Sequence, residues 1–77
     1  MSDTLITLFA DVLEVDASNL NDQSAPDNVE QWDSLAAMHL VAAIEDKFSI
    51  QLSTKEMMKM HSIGLAREVL KAKGVDV

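Results

Sequence analysis

The spacing of the apolar residues constrains the fold of this chain most strongly. They recur every three or four positions in several stretches, and no stretch alternates polar with β-branched residues. The 77 residues include only two glycines and one proline. Such spacing is typical of helices that bury one face, whereas strands need an alternating pattern. The sequence therefore predicts an all-α fold, with residues 1–77 forming a single domain.

Four helical segments are predicted, three longer ones and one short one. They cover about residues 3–14, 34–48, 53–60 and 62–74. Ser2 or Asp3 is placed to cap the first helix. In the short third segment, Ser53 and Glu56 have the spacing of a capping box.

A long loop separates the first two helices. Residues 15–33 are rich in Asn, Asp and Ser and contain the one proline, Pro26. A loop of 19 residues is longer than compact domains usually hold, so we expect it to be pinned by its own apolar residues and to carry function. Residues 16–20 are expected to form one helical turn. The residues available to pin the loop are Val15, Leu20, Val29 and Trp32.

The charge of the chain is acidic and unevenly distributed. Residues 1–46 contain ten acidic residues and no Lys or Arg, whereas residues 47–77 contain three acidic and all six basic residues, for a net charge of −7. A negative field repels nucleic acid and anionic membranes and attracts basic protein surfaces, although it also serves solubility alone. The first residues lack a basic flank and no long apolar segment follows, so we expect a cytoplasmic protein without signal peptide or membrane span. We also expect the chain to be a monomer.

The residues that could support catalysis or metal binding stand at unsuitable spacings. Asp33, Ser34 and His39 are the residue types of a hydrolytic triad, but a serine and a histidine five positions apart on one helix point to different sides. His39 and His61 lack the spacing of a metal site, and the chain has no cysteine and no glycine-rich phosphate loop. A core of this size leaves a margin of only ~3–5 kcal/mol, too little for an elaborate enclosed site. We therefore expect no enzyme and no metal.

The second long helix carries apolar residues on two sides. The side suited to the core contains Ala37, Leu40, Val41, Ile44 and Phe48. The other side, roughly 140° away at the helical repeat, contains Leu35, Met38 and Ala42 and is flanked by His39, Glu45 and Asp46. A small apolar patch with a polar rim is typical of a transient docking surface. The alternative is that the helix is buried on both sides.

Asp33 and Ser34 stand directly before this helix and allow two interpretations. Either residue could simply cap the helix, which is common at any helix start. If Asp33 is the cap, however, Ser34 becomes the first helical residue, beside backbone N–H groups that favour an anion. A phosphodiester attached to Ser34 would then be stabilised.

Three features of the chain together resemble one family. The tripeptide "DSL" (Asp33, Ser34, Leu35) opens the second helix after a long loop, and the segment "LVAAIEDKF" carries the Glu45–Asp46 pair before an aromatic residue. The domain is also small and acidic. Across nearly all 77 residues, these features resemble the acyl carrier protein family.

The resemblance implies a fold, a cofactor and partners. The fold is a four-helix acyl-carrier-like bundle, and Ser34, flanked by Asp33, matches the serine to which a phosphopantetheinyl transferase attaches a 4′-phosphopantetheine arm from coenzyme A. The thiol of this arm holds acyl or aminoacyl groups as thioesters and presents them to loading and transferring enzymes. The resemblance places partner contacts at Leu35 and Met38. Ala42, on the same side of the helix, and the flanking acidic pair Glu45 and Asp46 complete the expected partner-binding residues.

The chain departs from one branch of this family. Fatty-acid carriers have acidic residues just after the "DSL" motif, where this chain has Ala36, Ala37 and His39. Trp32 also resembles carriers outside that pathway. The resemblance therefore favours a specialised free-standing carrier in a lipid, polyketide or other secondary pathway.

Two alternatives stay open at this point. The chain could be a small acidic helical adaptor that binds a basic partner without modification. Within the short helix, Met57, Met58 and Met60 either pack in the core, which is the more ordinary role, or form a deformable wall near the cargo.

Overall fold

A computed structural model describes residues 3–77 and shows four α-helices with one short 3₁₀ helix. The α-helices are α1 (Thr4–Leu13), α2 (Ser34–Phe48), α3 (Thr54–Lys59) and α4 (Ile63–Ala72). The 3₁₀ helix, Ala17–Asn19, is the helical turn expected in the loop. The described residues contain no strand, so the predicted all-α fold with three longer helices and one short helix is confirmed.

Polar side chains begin each α-helix. Asp3 accepts hydrogen bonds from the N–H groups of Leu5 and Ile6, while its neighbour Ser2, the other predicted cap, lies outside the described residues. Ser53 and Glu56 form the predicted capping box at the start of α3. These bonds satisfy backbone donors that have no partner inside the helix.

The helices α1 and α4 end one or two residues before the predicted positions, whereas α2 ends at Phe48 as predicted. Glu14 adopts a left-handed conformation with φ 58°, so α1 ends at Leu13. At the other end of the chain, α4 stops at Ala72, and Gly74 follows with φ 87°. Both endings are of the left-handed type that often terminates helices.

The core lies where α1, α2 and α4 face one another. α1 packs against α2 and α4, and α3 packs against α4. The largest fully buried side chains are Leu5, Phe9, Leu40, Ile44, Ile63 and Leu70.

The long loop is pinned to this core by its own apolar residues, as expected. Leu20, Val29 and Trp32 are buried, and Val15 is partly buried. The ring of Trp32 packs against that of Phe9, with centroids 5.2 Å apart and planes tilted by 59°. The last part of the loop is thereby fixed immediately before α2.

The loop is also bound to the start of α4. The N–H of Ile63 donates to the carbonyl oxygen of Ser24 (3.0 Å), and the N–H of Gly64 donates to that of Asp22 (2.9 Å). A Cβ at position 64 would lie 2.9 Å from the same Asp22 oxygen, which explains the glycine there. This close approach of two backbones was not predicted.

An arginine joins three parts of the chain. The Nη2 atom of Arg67 on α4 lies 2.7 Å from Oδ2 of Asp3 and 2.9 Å from Oδ1 of Asp22. The hydrogen bonds from Arg67 lower the pKa of Asp3, and the hydrogen bond to Asp3 is the main cause that raises the pKa of Arg67. Arg67 thus links the cap of α1, the loop and α4.

We expect Arg67→Gln to lower the free energy of unfolding near neutral pH by about 1 kcal/mol, because Asp3 and Asp22 lose their charged partner. The pKa of Asp3 is lower in the folded protein than its ordinary 3.8. The stabilisation from this carboxylate is therefore present above the unfolded pKa and is lost as the pH falls through the folded pKa. Urea unfolding from about pH 7 to about pH 3 should show the wild type and the variant converging in acid.

The control for this experiment is Lys71→Gln, which removes a cation from the same helix without breaking any ion pair within residues 3–77. Its effect should be small at every pH. A difference between wild type and Arg67→Gln that stayed constant in acid would contradict the role of Asp3.

Candidate functional site

The start of α2 has the predicted arrangement. Asp33 is the cap, and its Oδ1 accepts a hydrogen bond from the N–H of Ala36 at 2.9 Å. The carbonyl oxygen of Asp33 accepts from the N–H of Ala37, also at 2.9 Å. Ser34 is consequently the first residue of the helix, which is the position that the attachment interpretation required.

Ser34 is exposed at this helix start. Because Asp33 supplies the cap, the hydroxyl of Ser34 is not needed as a hydrogen-bond acceptor for the first turn of the helix. The neighbouring backbone N–H groups belong to the first turn and form the positive end of a 15-residue helix. The position therefore combines an accessible hydroxyl with an environment that stabilises a phosphate.

The two sides of α2 differ as predicted. On the inner side Leu40 and Ile44 are buried, while Ala37, Val41 and Phe48 are partly buried. On the outer side Leu35 is 62 % exposed and Met38 is 70 % exposed, and Ala42, His39 and Asp46 are exposed too. The alternative in which both sides of α2 are buried is therefore wrong. We call Leu35, Met38 and Ala42 the outer face.

An open apolar groove runs between α2 and α3. Its volume is about 470 Å³. It is lined by Ala37, Met38, Val41, Ala42, Glu45 and Met57. Ser34 lies on the same side of α2 as Met38, Val41 and Glu45, which follow it at helical spacing. The groove therefore begins about one helical turn after Ser34, at Ala37 and Met38, and extends to Glu45 near the far end of α2.

The methionines of the short helix do not share one role. Met60 packs against the core as an ordinary apolar residue. Met57 and Met58 are 38 % and 66 % exposed, and Met57 lines the groove opposite Met38. The expectation of ordinary packing is thus wrong for Met58, and Met57 forms one wall of the groove.

Glu45 has a structural contact that the sequence did not reveal. This half-buried residue accepts a hydrogen bond at Oε2 from the N–H of Leu52, at 2.8 Å. The bond holds the segment after α2 against the helix. Its neighbour Asp46 lines a different groove, between α1 and α2.

Residues 3–77 contain neither a candidate metal site nor a helix that could span a membrane. No three His, Cys, Asp or Glu side chains of this part of the chain are grouped so that they could hold a metal ion. None of its helices is long and apolar enough to cross a membrane.

Comparison with known proteins identifies the family. Residues 3–70 match the family described as "Phosphopantetheine attachment site". The chain belongs to this family of phosphopantetheine carriers. It is therefore a carrier and not a catalyst, its cofactor is a covalently attached 4′-phosphopantetheine, and its partners include a phosphopantetheinyl transferase and acyl-handling enzymes.

A solved structure agrees with this assignment. The carrier is similar to the holo acyl carrier protein from Geobacter metallireducens, with a TM-score of 0.82 and 25 % sequence identity over 92 % of this chain and 82 % of that chain. None of the curated protein sequences compared with the carrier matches it significantly. Together, the family and the fold confirm the resemblance to acyl carrier proteins.

The environment of Ser34 fits such a cofactor. If the arm is attached to Ser34, the exposed hydroxyl is accessible to the transferase, the first turn of α2 would stabilise the phosphate, and the groove that begins one turn further along α2 would accommodate an extended arm. When bound, the arm supplies the thiol that holds cargo as a thioester.

We expect Asp33→Ala to lower the free energy of unfolding of the carrier by about 1 kcal/mol, because the N–H of Ala36 loses its acceptor. Asp33→Asn should lower it much less, since the amide oxygen can still accept this bond. Thermal and urea unfolding of the two variants measure the difference. Equal losses of stability in both variants would mean that the carboxylate charge, rather than the hydrogen bond, stabilises the helix start.

Proposed function

We propose that this carrier holds acyl or aminoacyl groups on an arm attached to Ser34 and serves a specialised pathway for lipids, polyketides or other secondary products. The observation that carries the proposal is the exposed hydroxyl of Ser34 on the first residue of α2, next to the exposed outer face. The other serines that begin helices, Ser53 and Ser62, use their hydroxyls as caps.

The attachment step transfers one group from coenzyme A. The hydroxyl oxygen of Ser34 forms a bond to the phosphorus atom that bears the pantetheine, and the pyrophosphate bond of coenzyme A breaks. Adenosine 3′,5′-bisphosphate leaves, and the hydroxyl proton passes to a base of the transferase. The helix start then faces the negative charge of the new phosphodiester, which the dipole of α2 favours.

The outer face supports a specific class of partner surface. Leu35 and Met38 project apolar side chains that cover no core, and Ala42 leaves a shallow space between them and the end of α2. Glu45 and Asp46 add negative charge on either side. A complementary partner would offer an apolar pocket with basic residues at its rim.

The lack of acidic residues at the start of α2 supports the proposed specialised pathway. Ala36, Ala37 and His39 stand where fatty-acid carriers have acidic residues, so the first turns of α2 carry no negative side chain after Asp33. Enzymes that dock through dense basic patches would find little complementary negative charge on this surface and would bind it weakly. This favours dedicated partner enzymes over the common fatty-acid synthase.

The attachment site can be tested by intact-mass spectrometry after incubation with coenzyme A and a broad-specificity transferase. We expect the wild type to gain one phosphopantetheine and Ser34→Ala to gain none. Ser34 is exposed and Asp33 retains the cap, so this variant should fold normally. Ser18→Ala, at another exposed serine, is the matched control and should be modified like the wild type. A wild type that gains nothing would instead support the unmodified acidic adaptor.

The outer face can be tested with Met38→Asp. Because Met38 is 70 % exposed, the helical circular dichroism and the unfolding midpoint should change little. The kcat/KM for modification by the transferase should fall about tenfold or more, as expected when a charge enters the centre of an apolar contact. Gln51→Asp adds the same charge at an exposed position beyond the end of α2 and should have little effect. Equal kcat/KM values for the two variants would refute docking through Met38.

A further inference from the structure

The groove begins about one turn of α2 after the proposed attachment point and ends at a single charged side chain, Glu45. Met38, Val41 and Glu45 follow Ser34 at intervals of three or four residues, so all four lie on one side of α2. At a rise of about 1.5 Å per residue, Glu45 lies roughly 16 Å beyond Ser34 along the helix. Glu45 is the only charged residue among those that line the groove.

This separation matches the length of the cofactor arm. About fifteen bonds lie between the serine oxygen and the terminal sulfur, and an extended chain advances roughly 1.2 Å per bond, which gives about 18 Å. An arm that follows the groove from Ser34 therefore brings its cargo to Glu45. The apolar lining of the groove suits the dimethyl group of the arm, and it leaves the cargo end beside a carboxylate.

The carboxylate of Glu45 is held in place and has no cationic partner within residues 3–77. Its Oε2 accepts the hydrogen bond from the N–H of Leu52, which fixes the side chain but leaves Oε1 outside that bond. The ion pairs within residues 3–77 join Arg67 to Asp3 and Asp22, and Lys73 to Glu56. A half-buried carboxylate beside apolar walls interacts more strongly with a cation than one in open water.

We propose that Glu45 binds cargo that carries a protonated amine, so that this carrier favours aminoacyl groups over plain acyl groups and disfavours acyl groups that end in a carboxylate. The proposal rests on attachment of the arm to Ser34. The wider charge distribution acts in the same direction, because residues 1–46 contain ten acidic residues and no Lys or Arg. This negative field attracts a cationic cargo and repels an anionic one.

Three cargo groups of nearly equal size, each carried on the same arm, test this preference. Glycyl, propionyl and malonyl groups differ only in ending with an amine, a methyl or a carboxylate, and an amide link in place of the thioester prevents hydrolysis. Each arm is loaded from the corresponding coenzyme A analogue, and intact mass confirms one arm per chain. Amide ¹H–¹⁵N spectra of each loaded form are then compared with the unloaded protein.

We expect the glycyl arm to shift the amide resonance of Leu52 roughly threefold more than the propionyl arm does, since a partly exposed ion pair changes populations by a few-fold. The malonyl arm should shift it least. In Glu45→Gln the amide oxygen can still accept from Leu52, but the charge is gone, so the glycyl and propionyl arms should give equal shifts. In Asp46→Asn, where the lost charge faces the other groove, the glycyl preference should persist.

Equal shifts with the glycyl and propionyl arms in the wild type would overturn the proposal, as would a glycyl preference that survives in Glu45→Gln. A wild type that loads no arm, or a Ser34→Ala variant that loads one, would overturn the attachment site and the Glu45 proposal together. Mass spectrometry reports that outcome before any spectrum is compared. The two kinds of failure are therefore distinguishable.

Discussion

The packing of Trp32 against Phe9 is the contact on which the site depends. A loop of 19 residues has many conformations to lose, and without an apolar anchor its end would not hold the next helix start in one place. The two rings, 5.2 Å apart, attach the loop to α1. Because Trp32 is buried, the next residue, Asp33, must turn outwards into the cap position, and Ser34 follows at the surface.

The second helix serves the core and the surface at once, and its 3.6-residue period makes this possible. Leu40 and Ile44 bury one stripe, while Leu35 and Met38 stay exposed on another. Glu45 connects the two roles, because its bond to the N–H of Leu52 holds the next segment and also fixes a carboxylate at the end of the groove. A residue used for folding is thereby preorganised for binding.

Much of this arrangement could be predicted from the sequence because it depends on residues close together in the chain. Helical spacing and caps predicted the helices to within one or two residues, the position of Ser34 and the exposed outer face. The contacts that were missed are mostly distant in sequence. Arg67 lies 64 positions from Asp3 and 45 from Asp22, and the Gly64–Asp22 approach depends on how the loop crosses α4. A single sequence contains no signal for such pairs, since none follows a local period.

The separation of stabilising and functional residues follows from the size of the chain. A core of this size leaves a margin of about 3–5 kcal/mol, and a buried polar catalytic group without partners would consume a large part of it. This chain contains no cysteine, and its thiol comes with the cofactor. The protein therefore needs only an exposed hydroxyl, an outer face and an open groove, all of which lie outside the core. On the proposal made for Glu45, the choice of cargo then falls to residues that line the groove and not to the core.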